Sequence, residues 1–129
     1  MASGLPAATG DILTASTVNG LVTFTVGSDQ TADYTAVLTD QYQVLVPMNK
    51  ATAVAFKIPT NSSVAFPVGT AITILNKGAG AVTISAVTSG TTTVLSAGAV
   101  VAAPTLAQYK TAVALKVATD IWYISGAIG

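Results

Sequence analysis

The residues that could do chemistry in this chain are few in kind. All five acids are aspartate (Asp11, Asp29, Asp33, Asp40, Asp120), and all five bases are lysine (Lys50, Lys57, Lys77, Lys110, Lys116). General acid–base catalysis at neutral pH most often uses histidine or a tuned glutamate, and the chain has neither. Asp29 and Asp33 flank one corner and invite a calcium reading, because Ca²⁺ takes several oxygen ligands. Two carboxylates without EF-hand spacing fit a turn better, since aspartate hydrogen-bonds its own backbone there. Asp40 and Asp120 each precede a strand and read as turn formers too. Ser62 and Ser63 lie near Lys57, but Pro59 and a strand end separate them, so no Ser–Lys nucleophile is specified. Gly78-Ala79-Gly80 looks like a piece of a phosphate loop, yet it leads into a strand. A phosphate loop opens a helix, whose N-terminus holds the anion. Trp122 and Tyr123 could form a sugar platform, but adjacent strand residues face opposite ways, so one belongs to the core and one to the surface. Tyr34, Tyr42 and Tyr109 are expected half-buried with the hydroxyl at the rim. No catalytic, cofactor-binding or metal-binding residue is assigned, and the chain is read as a non-enzyme without a cofactor.

Composition narrows the partners. Charged residues make up 8% of the 129 residues, and the formal net charge is zero. Ordinary soluble domains carry about 25%. Nucleic-acid binding needs clustered Lys or Arg, which is missing here. The chain is 51% apolar, yet no apolar run reaches the length that crosses a membrane. The N-terminus MASGLPAATG lacks the basic start and apolar core of a signal peptide. A chain so poor in charge is expected to bury surface between copies or against a partner. With no cysteine, its fold does not depend on oxidation.

The elements that must position these residues are strands. Apolar residues recur with period two at Val22-Phe24-Val26, Tyr34-Ala36-Leu38, Tyr42-Val44-Val46 and Val54-Phe56-Ile58, then at Ile72-Ile74 and Val82-Ile84-Ala86. Val113, Leu115 and Val117 alternate with Ala112, Ala114 and Lys116, and Ile121–Ser125 forms a closing strand after a turn at Thr119-Asp120. Pro47 and Pro59 end strands. The Lys77–Gly80 loop is expected to close a hairpin. No window predicts a helix, and no internal repeat suggests a solenoid. The prediction is an all-β fold, an antiparallel sandwich or jelly roll of about nine or ten short strands. Residues 1–19 are expected to form an N-terminal arm and residues 20–129 a single sandwich domain.

Across residues 34–126 a set of short pieces occurs in a familiar order: Pro59-Thr60-Asn61-Ser62, Phe66-Pro67-Val68-Gly69-Thr70, Gly78-Ala79-Gly80, Gln108-Tyr109, and Thr119-Asp120-Ile121-Trp122. This order resembles a small all-β module of tailed-bacteriophage structural proteins, found on tail fibres, head fibres and capsid-associated proteins. The arginine usual near the closing strands of such modules is absent. A copy that stands almost alone, without a fibre shaft, is similar to capsid decoration (cement) proteins. The resemblance implies a homotrimer on the outside of the virion capsid, made in the bacterial cytoplasm, with the major capsid protein as partner. A head- or tail-fibre component touching the host surface is the alternative, and a carbohydrate-binding module the next.

Overall fold

A computed structural model of the chain describes residues 25–96 and 103–128. The arm expected over residues 1–19 lies outside them. The described chain forms ten strands: β1 (Thr25–Val26), β2 (Tyr34–Thr35), β3 (Gln43–Met48), β4 (Val54–Ile58), β5 (Ala71–Asn76), β6 (Val82–Ala86), β7 (Thr93–Ser96), β8 (Thr105–Leu106), β9 (Thr111–Ala118) and β10 (Ile121–Gly126). One short 3-10 turn, Leu38–Tyr42, replaces the continuation of β2 that alternation suggested. Asp40 explains it: its carboxylate accepts the Val37 N–H at 2.9 Å and draws the chain into a turn. β3 runs one residue past Pro47, which bonds through its carbonyl to Gln30. No helix among the described residues is long and apolar enough to cross a membrane.

The strands form two sheets, β1-β3-β5-β9-β10-β7 and β2-β4-β6-β8. The expected all-β sandwich is therefore present. Its strand directions depart from the antiparallel, jelly-roll-like arrangement, because β1/β3, β3/β5, β7/β10, β2/β4 and β4/β6 all pair in parallel. The cause is connectivity. From β1 to β9 successive strands alternate between the sheets, so, apart from β7/β10, which β8 and β9 separate, each parallel partner is reached by way of one strand of the opposite sheet. That intervening strand serves as the crossover a parallel pair needs. The Lys77–Gly80 loop is one of these crossings and not a hairpin, since β5 and β6 lie in different sheets. Val46 stands beside Ile74, and Val54 beside Val82, at the same step along the chain in both sheets. Successive coils thus stack in register.

The core lies between the sheets. Val46, Met48, Ile72, Ile74, Trp122 and Ile124 enter it from the larger sheet, and Val54, Phe56, Ile58, Val82, Ile84 and Leu106 from the smaller. Phe66 and Ala36 add to it from loops. β9 turns Ala112, Ala114 and Lys116 inward and leaves its larger apolar row, Val113-Leu115-Val117, on the outside.

Candidate functional site: the corner filled by Lys116

After β4, Pro59 denies the chain a further ladder bond and residues 59–70 fold into a corner. The Thr60 carbonyl accepts from Ser63 N and Val64 N at 3.1 and 3.0 Å, and the Thr60 and Ser62 hydroxyls bond each other at 3.1 Å. The second half closes on Pro67, whose carbonyl accepts both the backbone N–H and the hydroxyl of Thr70. Gly69 holds φ 97°, a conformation a side chain would strain. Its N–H donates to the Lys116 carbonyl, and Lys116 N donates to the Thr70 carbonyl, both at 2.8 Å. The corner is thus tied to the middle of β9.

Lys116 fills what the corner encloses. Its side chain is 2% exposed. Nζ donates to Asn61 Oδ1 and to the Phe66 carbonyl, each at 2.6 Å. A buried ammonium is costly unless its hydrogens find acceptors, and here one amide oxygen and one backbone carbonyl supply them. Asn61 continues the network, donating its N–H to Asp120 Oδ1 at 2.7 Å. That oxygen also accepts the Thr92 hydroxyl at 3.2 Å, and the Asp120 carbonyl accepts Thr93 N at 2.8 Å. Asp120 sits at φ 56°, in the left-handed region that aspartate tolerates better than most residues. Two residues on, Trp122 pairs across the strands with Lys116 and meets the Phe66 ring edge to face, centroids 5.5 Å apart at 90°.

A second knot forms around Asn76, which is fully buried. Its Nδ2 donates to the carbonyls of Gly80 and Leu106 at 2.8 and 2.9 Å, and its Oδ1 accepts Gly78 N at 3.0 Å. Its backbone carbonyl accepts Tyr109 N at 2.6 Å, and Gln108 Nε2 reaches the Lys77 carbonyl at 3.2 Å. A Cβ on Gly80 would stand 1.9 Å from the Thr52 carbonyl oxygen, and one on Gly78 2.2 Å from that of Lys50. These glycines serve the close approach of two coils and form no anion cradle.

The other candidates disperse. Asp29 takes Lys77 Nζ at 2.9 and 3.0 Å and Asn49 Nδ2 at 3.0 Å, and these bonds hold its carboxyl below the usual range. Asp33 accepts Ala55 N at 2.9 Å, so the two acids serve different partners. Ser62 turns to Thr60, and among the described residues no bond joins Ser62 or Ser63 to Lys57. Tyr34 is half-buried as expected. Its hydroxyl donates to both Asp40 oxygens at 2.9 and 2.7 Å, and burial followed by the adjacent carboxylate pushes its ionisation well above that of a free tyrosine. Tyr42 and Tyr109 are not half-buried but 67% and 77% exposed, because each stands outside the sheets. Trp122 is the core member of its pair, and Tyr123 faces outward.

Sequence reasoning missed the interior role of Lys116. The available signal was its place in a row with Ala112 and Ala114, one turnlet from Trp122. The pieces noted along the sequence converge in space: Asn61, Phe66, Gly69, Thr70 and Trp122 meet Lys116, with Pro67 and Asp120 joined through Thr70 and Asn61, while Gly78, Gly80 and Tyr109 meet Asn76, with Gln108 on the neighbouring Lys77. Comparison with known protein families, curated proteins and solved structures finds no match to this chain.

Proposed function

We propose that this protein is a structural component of a tailed-phage particle, a decoration protein that binds the outside of the capsid as a homotrimer and stabilises it. One observation carries this reading. Pieces dispersed from residue 59 to residue 122, which together resemble the phage module, meet in two knots, around the buried Lys116 and the buried Asn76, where they hold one another. Pieces that explain each other physically support the resemblance as a fold signature, in a way that scattered matches would not. The same observation supports a non-enzymatic role, because the polar groups with the most chemical promise are engaged in fixing backbone.

In this role the protein straddles neighbouring capsid subunits and adds buried area across joints that packaged DNA strains. Each Å² of apolar surface removed from water contributes about 25 cal/mol before ordering costs. A charge-poor surface suits such contacts.

The test is rebinding. Purified protein is mixed with phage heads stripped of accessory proteins, and the particles are imaged by cryo-EM. Many copies at regular positions on the shell are expected. A few copies at a vertex or on the tail would move the assignment to a fibre component. Saturable hits on a glycan array, with no capsid binding, would move it to a sugar-binding module.

A further inference from the structure

We propose that the outer face of the six-stranded sheet is the surface through which copies of this chain associate. The inference rests on the homo-oligomer reading above and names the surface responsible.

Among the described residues, the outward positions of this sheet carry no charge. One row runs Leu95–Tyr123–Leu115–Ala71 across β7, β10, β9 and β5, and the next runs Ser125–Val113–Thr73. Leu115 and Val117 are 38% and 45% exposed. The smaller sheet is different. Its outward rows are Thr35–Lys57–Ser85 and Ala55–Thr83–Thr105, polar and carrying a lysine. One face is thus built for water and the other for burial.

Charge and area both select the occupant. A surface without charges offers nothing to nucleic acid or to a strongly charged protein face, and it matches best a surface of its own kind. This chain, with 8% charged residues, presents such a surface. The six strands lie about 4.8 Å apart and run from two to eight residues, which makes a patch of roughly 24 by 18 Å. Packed around a threefold axis, each copy turns this face to both neighbours, and three such faces together remove on the order of 1,300 Å² from water.

The experiment measures mass in solution by sedimentation for the full chain, for Leu115→Lys, and for Thr83→Lys on the opposite face. The wild type is expected as an oligomer. Leu115→Lys should weaken association by about 100-fold or more, as for a charge buried at an interface centre, and Thr83→Lys should leave it unchanged. Leu115→Cys, in a chain with no other cysteine, provides a second measurement that tolerates failure of the lysine variant to fold. Its maleimide labelling should slow as protein concentration rises. A folded Leu115→Lys at wild-type mass, or fast labelling at every concentration in an oligomer, overturns the inference and leaves the homo-oligomer reading standing. A monomeric wild type whose Leu115→Cys labels fast overturns both. A monomer that labels slowly until residues 2–24 are removed also overturns both, and assigns the face to the chain's own N-terminal segment.

Discussion

The molecule contains two clusters with the same three residue types, lysine, asparagine and aspartate, and they behave differently. In the exposed one, Lys77 bonds Asp29 directly and Asn49 adds one donor to the same carboxylate. In the buried one, Lys116 bonds neutral oxygens, and Asp120 is spent on the Asn61 N–H and the Thr92 hydroxyl. The first ties together side chains that water would otherwise solvate. The second holds a buried ammonium against the buried Phe66 carbonyl and joins the half-buried Asn61 and Asp120 to it. Residue type therefore says little about what such a cluster is worth, and burial decides it.

Four changes sharpen this contrast, from the largest expected effect to the smallest. Lys116→Met keeps much of the volume but leaves Asn61 Oδ1 and the Phe66 carbonyl without their donor. Chemical denaturation should show a loss of about 2–4 kcal/mol, and a loss within error would make the buried cluster no different from the exposed one. Asp120→Ala removes the acceptor of Asn61 N and places a less tolerant residue at positive φ, so the same measurement should give about 1–3 kcal/mol. Tyr34→Phe should cost about 1 kcal/mol and should also change the alkaline limb of stability. Tyr34 ionises at higher pH when folded, so its contribution is complete below the free-tyrosine value of about 10 and is lost as pH rises beyond it. The variant should lack that loss, as pH-dependent melting would show. Lys77→Met is expected to have the least effect. Because the Asp29 carboxyl is held below its ordinary range, the pair contributes above that range, and the contribution fades as pH falls through the lowered value. Melting in high salt should abolish the small difference between variant and wild type.

Much of the architecture was legible from the sequence. Period-two alternation located β4, β5, β6 and β9 because each has one face in the core, and Pro59 marked the end of β4 correctly. Strand partners were not legible. A loop such as Lys77–Gly80, with two glycines between alternating runs, has the same local chemistry whether it closes a hairpin or crosses to the other sheet. What decides here is the buried Asn76 side chain and the contact of Gly78 and Gly80 with the preceding coil. The stacking of coils was hidden for a related reason. Of the residues paired between β3 and β5 and between β4 and β6, only Val54 and Val82 share a type, so the register repeats where the sequence does not. The corner at 59–70 was legible as a corner, but its content was not, because Lys116 lies far along the chain and lysine is ordinarily a surface residue.

The central claim is that these knots hold the frame while other surfaces carry the function. The most direct test is the affinity of folded Asn61→Ala for stripped phage heads, measured beside its unfolding free energy. The account predicts lower stability and, per folded molecule, wild-type binding. Unchanged stability with lost binding would contradict it and make the corner itself the binding site.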